Sequence, residues 1–296
     1  MITKELKQLI VAAINTRRTN YSTDSKMAVA LGISAAQLSS IRNGKLEKVL
    51  SDANWISIAR RLDVQLGKQQ EWKTARTPVY EFIFSQLRWC QENAQSGLLC
   101  DRADIGKTYT ARCYVKETRN AVYIDCSQVK SKQKLIRQIA REFGVTHTGR
   151  YADVYEDLVF YIRTIECPLV ILDEAGDLDY PAFLELKALW NATERSCGWY
   201  MMGADGLKEK IETNMSRKKV GYTELFSRFG KRYQKITPEG SDSWEEFARA
   251  QVTIIARANY DKADVRKIYN STTGSLRRIP MEIRKQQKSQ TSLLVA

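Results

Sequence analysis

Residues 100–111, with the sequence CDRADIGKTYTA, have the types and spacing of a loop that binds phosphate. Gly106, Lys107 and Thr108 match the end of the pattern glycine, four residues, Gly-Lys-Ser/Thr. In such loops backbone amides surround the phosphates, the lysine contacts them, and the hydroxyl reaches Mg²⁺. Asp101 stands where the opening glycine belongs, and Asp104 occupies a second position that is often glycine. Because the triplet can occur by chance, the neighbouring elements must show whether this is a phosphate-binding loop.

The segment LVILDEA supplies a second group of side chains that could take part in catalysis. Its four aliphatic residues predict a buried strand that ends at Asp173 and Glu174. In a nucleotide site we expect Asp173 to hold Mg²⁺ and Glu174 to orient or activate the attacking water. The alternative is an ordinary strand that happens to end in acidic residues.

The elements that must position these residues alternate between helix and strand from Val79 onward. Strands are predicted in SGLLC, AVYIDC, PLVILDEA and GWYMMGA, with helices between them. This alternation predicts an α/β fold in which a parallel sheet has helices on both faces. SGLLC runs directly into the phosphate loop and a helix follows the loop, so that amides and a helix N-terminus can face one anion. After Pro238 the sequence predicts only helices.

Residues 1–66 contain no proline and predict a small all-α domain of short helices. Ala28 and Gly32 are four residues apart, and apolar Leu38 and Ile41 follow, as in a helix-turn-helix. The second helix, from about Ser34 to Asn43, would have Ser34 as its N-cap. The DNA-contacting candidates on this helix are Gln37, Ser40 and Arg42. A helical bundle that contacts proteins is the alternative.

A formal charge of +13, from 47 Lys and Arg against 34 Asp and Glu, indicates a polyanionic partner or simply a basic surface. In SQVKSKQKLIRQ, the side chains of Lys130, Lys132 and Lys134 alternate with polar residues. Such a mixture suits contact with DNA phosphates without regard to sequence, although an exposed helix start has the same appearance.

Other classes of protein are disfavoured by composition. The six cysteines form no CxxC pair, and the single histidine is His147, so the sequence indicates neither a zinc cage, nor a disulfide framework, nor a Ser-His pair. No apolar run is long enough to span a bilayer, and we expect a cytoplasmic protein that does not interact with membranes.

The segments ADIGKT, LVILDEA, LFSRFGKR and GSLRRI, in this order, resemble the AAA+ ATPases. Together with the N-terminal helices, the chain looks most like the target-selection helper ATPases of phage Mu and related transposons. The resemblance implies ATP and Mg²⁺ as cofactors, a helical homo-oligomer on double-stranded DNA, and a transposase as partner. It implies that Arg228 is an arginine finger that acts on a neighbouring subunit, and that Arg277 is a second sensor.

The resemblance also assigns regions and contacts. It implies a helix-turn-helix DNA-binding domain at 1–66, a linker at 67–78, an AAA+ nucleotide-binding core at 79–238, and a helical lid with a basic tail at 239–296. Lys107 would take part in catalysis, and Thr108 with Asp173 would hold the metal. The nucleotide contacts would be Asp104, Ile105, Gly106, Lys107, Thr108, Tyr109 and Arg277.

Two departures from the family pattern keep other functions open. The loop lacks the glycines described above, and the strand GWYMMGA is followed by Ala204 and Asp205 where a polar sensor residue is expected. We therefore expect slow hydrolysis. The alternatives are a non-hydrolysing helix-turn-helix regulator with a degenerate nucleotide site, and a replication helicase loader, which shares the ATPase core.

Overall fold

The computed structural model describes residues 2–64 and 72–295. The N-terminal region contains four helices: α1 (Lys4–Arg17), α2 (Asp24–Leu31), α3 (Ala35–Arg42) and α4 (Asp52–Arg61). The predicted N-cap is confirmed, because Ser34 and Gln37 form a capping box at the start of α3. Between α2 and α3 the backbone turns at Gly32, whose φ of 72° favours glycine. Leu38 and Ile41 are fully buried beneath α3.

The central region alternates helices and strands, as the sequence predicts. In chain order its elements are α5 (Pro78–Glu92), β1 (Ser96–Cys100), α6 (Lys107–Glu117), β2 (Ala121–Asp125), α7 (Lys132–Glu142), α8 (Tyr151–Thr164), β3 (Leu169–Asp173), α9 (Tyr180–Ala192), β4 (Gly198–Gly203), α10 (Asp205–Ser216) and α11 (Tyr222–Arg228).

The four strands form a parallel sheet in the order β1-β4-β3-β2, which confirms the predicted fold class. Alternate residues of each strand face opposite sides of the sheet. In β3, Val170 and Leu172 pack into one apolar core, while Leu169 and Ile171 pack into the other. Helices therefore cover both faces, and the carboxyl ends of the strands meet at one edge.

An extended segment lies beside β1 on the outer side of the sheet. Gln234 donates its N–H to the carbonyl of Leu98 at 2.8 Å and accepts from the N–H of Cys100 at 3.2 Å. This single bridge occupies the place of a fifth strand. The segment then continues toward the C-terminal helices, so that it connects the sheet edge to the lid.

The C-terminal region is helical, with α12 (Ser241–Asn259), α13 (Val265–Thr272) and α14 (Ile279–Val295). A separate small core, which includes Val252, Ile268 and Ile279, holds the three helices together. Within 2–64 and 72–295, no helix has the length and apolar character needed to cross a membrane.

Candidate nucleotide site

The candidate phosphate loop joins β1 to α6 at the carboxyl edge of the sheet. Gly106 caps the start of α6 with a φ of 102°, a left-handed conformation that a residue with a Cβ adopts only with strain. The first turn of α6 therefore begins at Lys107, and its unpaired amides face the cleft above the sheet. A helix N-terminus presented in this way favours an anion.

Lys107 is the best-enclosed cation of the site. Its side chain is 7% exposed, and Nζ donates hydrogen bonds to the carbonyls of Asp101 at 2.7 Å and Arg102 at 2.6 Å. Burial lowers the pKa of the Lys107 amine, whereas the nearby carboxylates of Asp101 and Asp173 act in the opposite direction. The ammonium group is therefore held against the loop, where it could donate hydrogen bonds to a phosphate.

Thr108 and Asp173 are in direct contact, although 65 residues separate them in the chain. The Thr108 hydroxyl donates to Oδ2 of Asp173 at 2.6 Å, and Asp173 is only 1% exposed. The hydroxyl of Tyr123, on the neighbouring strand β2, donates to the same oxygen at 2.8 Å. Oδ1 accepts the backbone N–H of Glu174 at 3.0 Å. These three hydrogen bonds fix the carboxylate in one orientation.

Glu174 follows Asp173 in a left-handed conformation, with a φ of 50°. A residue with a side chain in this region carries backbone strain, which is common at functional sites. Burial, and secondly the charge of Asp173, raises the pKa of the Glu174 carboxyl group, while Lys107 lowers it. A raised pKa makes this carboxylate a stronger base than an exposed glutamate.

Asp101, at the position of the missing first glycine, does not face the phosphate site. It is fully buried, and its Oδ2 accepts the N–H groups of Ile236 at 2.6 Å and Thr237 at 2.9 Å. Its Oδ1 accepts the Thr237 hydroxyl and the N–H of Arg102. The carboxylate thus anchors the segment between the sheet and the lid. Its backbone is not left-handed, so this position has no need of glycine.

Asp104 contacts the lid. Its φ of 61° is left-handed, which an aspartate tolerates better than most residues. Oδ2 accepts the Ser275 hydroxyl at 2.5 Å, and Oδ1 lies 3.4 Å from Nε of Arg277. The side chain of Arg277 remains 79% exposed. The predicted second sensor is thus paired with the loop itself.

A cleft of about 600 Å³ lies above the loop, between the core and the lid. Its walls include Lys107, Thr108, Glu174 and Arg277 from the predicted site. The lining also includes aromatic and aliphatic side chains, those of Trp72, Tyr80, Tyr109, Ile255, Leu276 and Ile283. A planar base fits such a surface, whereas the phosphates fit the loop.

The segment before α5 takes part in this cleft. Trp72, Ala75 and Thr77, from the end of the predicted linker, line it, whereas residues 67–71 lie outside the described residues. The Asn259 side chain of α12 exchanges two hydrogen bonds with the backbone of Lys73, at 2.8 and 3.1 Å. The segment is therefore fixed to the lid. The contribution of this segment to the cleft depends on packing, and its polar composition did not predict that contribution.

The loop, α6, β3 and β4 lie within a stretch that matches a known protein family. Residues 90–211 match the family described as AAA domain. The matched stretch includes the loop and all four strands of the sheet.

The chain is also similar to two individual proteins over a longer stretch. It is 24% identical, over 216 residues, to the Mu-like prophage FluMu DNA transposition protein B of Haemophilus influenzae; the match covers 71% of this chain and 73% of that protein. Among solved structures, a match to the Aeropyrum pernix ORC1 protein in complex with DNA has a TM-score of 0.46 and 17% identity; it covers 72% of this chain and 66% of that one.

The predicted arginine finger is absent from the described lining of the nucleotide cleft. Arg228, at the end of α11, is not one of the described residues that line the cleft. Its Nε donates to Oδ1 of Asn191 at 2.6 Å, and its guanidinium lies over the ring of Trp190. Ala204, where a polar sensor is expected, does line the cleft.

The predicted DNA-contacting lysines lie at and before the start of α7. Lys130 pairs with Asp177 at 3.2 Å, Lys132 lies over the ring of Tyr151, and Lys134 is exposed. These residues do not belong to the described lining of the nucleotide cleft. Their role in DNA contact stays a prediction.

The candidates on α3 already have partners within the N-terminal region. The Gln37 side chain accepts the N–H of Ser34 at 3.0 Å and donates to the carbonyl of Val49 at 3.2 Å. Arg42 pairs with Asp24 at 2.7 Å and donates to Asn15 at 3.2 Å. Ser40 is half-buried. Contact with DNA would require Gln37 and Arg42 to share or exchange these bonds.

Sequence reasoning missed Tyr123, which holds the orientation of Asp173. The register pairs Tyr123 with Ile171, and places the polar end of β2 beside the polar end of β3. A tyrosine inside the apolar strand AVYID was the available signal, since a buried hydroxyl needs a partner. Burial and the Asp173 charge raise the Tyr123 pKa far above its usual range, so the hydroxyl remains a donor.

Proposed function

We propose that this protein is an ATP-dependent DNA-binding protein that assembles as a helical homo-oligomer on double-stranded DNA in the cytoplasm, and there recruits or stimulates a transposase. The AAA domain and the similarity to transposition protein B over 71% of the chain support this function. The observation that carries it is the 2.6 Å contact of Thr108 with Asp173, which joins the loop to β3 as a nucleotide site requires.

The chemistry of the donors fits Mg²⁺ bound to ATP. The Thr108 hydroxyl and the Asp173 carboxylate are oxygen ligands, the type that Mg²⁺ prefers. Within the described ranges no cluster of three His, Cys, Asp or Glu could hold a metal by itself. This is compatible with Mg²⁺-ATP, because Mg²⁺ usually takes one or two protein ligands and completes its shell with phosphates and waters. When bound, Mg²⁺ would neutralise phosphate charge.

The AAA domain type supports nucleotide hydrolysis, in which we assign two further roles. Glu174 orients the attacking water and accepts its proton, and its raised pKa suits a base. Arg228 contacts the phosphates held by the neighbouring subunit, a role supported by its absence from the described lining of its own cleft. Turnover is slow, since Ala204 offers no polar sensor group.

DNA contact is proposed for two surfaces. Lys130, Lys132 and Lys134 contact phosphates without regard to sequence, which a helical oligomer can repeat in each subunit. Gln37, Ser40 and Arg42 on α3 add the base-edge contacts of a helix-turn-helix. The formal charge of +13 supports a polyanionic partner.

The test compares Thr108→Val with Thr108→Ser in the full chain, on random-sequence duplex DNA. Serine keeps the hydroxyl, whereas valine keeps the shape and loses it. We expect the wild type and Thr108→Ser to assemble on DNA with Mg²⁺-ATP, as seen by electron microscopy, and Thr108→Val to fail. Assembly of all three proteins without ATP would overturn an ATP-dependent function. Stimulation of strand transfer by a transposase encoded nearby tests the partner.

The same assay separates the two DNA surfaces. Deletion of residues 1–66 should weaken DNA affinity but leave ATP-dependent assembly. Changing Lys130, Lys132 and Lys134 to alanine should abolish assembly and flatten the salt dependence of binding, because each phosphate contact contributes to that slope. The opposite result would make the N-terminal domain the principal DNA contact.

A non-hydrolysing DNA-binding regulator is the second candidate. The observation in its favour is Ala204, which lines the cleft where a polar residue would sense the phosphate. DNA-stimulated release of phosphate from ATP, lost in Glu174→Gln but with ATP binding intact, would exclude this candidate. Absence of any turnover under these conditions would favour it.

A further inference from the structure

A second cavity, of about 500 Å³, lies between the N-terminal helices and the core, on the side of α6 and α7. Its walls come from both regions. They carry six cationic side chains, Arg17, Arg60, Arg61, Arg112, Lys116 and Arg141, against three carboxylates, Asp63, Asp125 and Glu142. One of these carboxylates is already neutralised, since Asp63 pairs with Lys116 at 3.0 Å. The cavity therefore has an excess of positive charge.

Three of the arginines lie near one carboxylate of the cavity lining, that of Glu142, and their charges act on it. Arg17 and Arg61 come from the N-terminal helices, and Arg141 and Glu142 from the end of α7. Burial raises the pKa of Glu142, while all three arginines act in the opposite direction. Burial also lowers the pKa of Arg61, and the charge of Arg141 adds to that effect. Arg61 also donates to the carbonyl of Ala30 at 2.7 Å. Three guanidinium groups near a single carboxylate leave a net positive charge, which a further anion would offset.

One hydrogen-bond donor of the described cavity lining has no acceptor. Nε of Arg141 is buried and has no partner among the described residues, although an Arg141 guanidinium nitrogen lies 3.6 Å from Glu142. Burial raises the pKa of Tyr21, another residue of the lining, to about 12, and its hydroxyl is hydrogen-bonded with Arg17. A buried donor without an acceptor costs free energy, and an anionic ligand would remove that cost.

The remaining walls suit a ligand of nucleotide size. Tyr123, Phe143 and Tyr161 contribute aromatic surface, and the volume is in the range of small-molecule sites. Arg112, Lys116 and Asp63 line this cavity and the nucleotide cleft as well, so α6 separates two neighbouring sites. At its other end α7 begins beside the lysines predicted to contact DNA.

We propose that this interdomain cavity is a second anion site, which binds a phosphate-bearing ligand between Arg17, Arg61 and Arg141. The ligand bridges the N-terminal domain to the core, because its phosphates contact guanidinium groups from both. The phosphate belongs either to a free nucleotide or polyphosphate, or to a nucleic-acid strand. The site does not depend on the proposed ATP-driven function, since none of these arginines belongs to the phosphate loop.

The test uses the full chain carrying Lys107→Ala, so that binding at the phosphate loop does not contribute. Inorganic tripolyphosphate is titrated by calorimetry. We expect one tripolyphosphate per chain, and at least a tenfold weaker affinity when Arg17→Gln and Arg141→Gln are added, because both changes remove charge-assisted donors. Arg163→Gln, an exposed arginine of α8 outside the cavity, is the control and should leave the affinity unchanged.

Glu142→Gln supplies a change in the opposite direction. Removal of this carboxylate should tighten tripolyphosphate binding severalfold, a gain that misfolding cannot produce. No binding to the Lys107→Ala protein, or equal weakening by Arg163→Gln and the arginine pair, would overturn the proposal. Unchanged affinity in the arginine pair would also overturn it. Displacement of tripolyphosphate by a single-stranded oligonucleotide would assign the phosphate to nucleic acid, and persistence of binding would assign it to a free ligand.

Discussion

The loop between β1 and α6 carries two aspartates, Asp101 at its β1 end and Asp104 nearer to α6, and the two carboxylates have different partners. Asp101 is fully buried and accepts hydrogen bonds from Ile236 and Thr237, in the segment beside β1. Asp104 is partly exposed and holds Ser275 and Arg277 of the lid. The first is part of the permanent framework, whereas the second contacts groups that a nucleotide would approach.

This contrast explains how the loop can lack two glycines and still be a phosphate loop. At Asp101 the backbone is not left-handed, so no strain follows, and the four donors to its carboxylate offset part of its charge. At Asp104 the backbone is left-handed, with a φ of 61°, and the charge lies beside the cleft. A cost to ATP binding is therefore expected at Asp104 alone.

The largest effect should come from Lys107, which follows both aspartates and begins α6. Lys107→Ala removes the ammonium group that donates to phosphates, and should weaken ATP binding at least about a hundredfold, because charge-assisted hydrogen bonds are the strong ones. Equilibrium binding of a fluorescent ATP analogue measures this loss. Lys208→Ala, on α10, is the matched control. If the two variants bind ATP equally well, the loop is not the nucleotide site.

The sequence predicts those parts of the site that depend on the order of residues along the chain and on the direction of the strands. Lys107 and Thr108 follow β1, and Asp173 ends β3; parallel strands bring their carboxyl ends together, so the contact of Thr108 with Asp173 follows from the alternating pattern. The sheet and the helical C-terminal region follow from the same pattern.

The partners of the two aspartates could not be predicted. Asp101 contacts Thr237 across 136 residues, and Asp104 contacts Ser275 across 171. Such pairs depend on how the lid and the edge segment pack, and no local periodicity encodes that packing. The interdomain cluster of arginines could not be predicted either, since Arg17 and Arg141 have no distinctive spacing in the sequence.

Asp101→Gly restores the family pattern and should nevertheless destabilise the protein. It leaves the N–H groups of half-buried Ile236 and buried Thr237 without their acceptor, at a cost of about 1–3 kcal/mol each. We expect the free energy of unfolding to fall by about 2–4 kcal/mol in urea titrations without nucleotide. Asp101→Asn, which keeps one acceptor oxygen, should lose less. A glycine variant as stable as the wild type would mean that Asp101 is no anchor.

Asp104→Gly should have a smaller effect, and it should improve function, because it should raise ATP affinity. Glycine accepts the left-handed backbone without strain and removes a charge beside the phosphates, so ATP affinity should rise by about three- to tenfold. Asp104→Asn separates the two causes, because asparagine tolerates the same φ but carries no charge. The gain should shrink at high salt if charge dominates. Weaker ATP binding in both variants would show that Asp104 helps to hold the nucleotide.

The smallest expected effect is the coupling between Asp104 and Arg277, which decides whether the loop and ATP compete for the same arginine. The two groups are 3.4 Å apart, but Arg277 is 79% exposed, so solvent screening limits the pair to below about 1 kcal/mol. If Arg277 moves from Asp104 to the phosphates when ATP binds, Asp104→Asn should improve ATP affinity less in an Arg277→Gln background than in the wild type. A double-mutant cycle of ATP dissociation constants measures this difference, and should give a factor of about two to five. Arg278→Gln, a neighbouring exposed arginine, replaces Arg277→Gln in the control cycle and should show additivity. Additivity in both cycles would mean that Arg277 keeps its position when ATP binds, and that the Asp104 end of the loop, like the Asp101 end, belongs to the permanent framework.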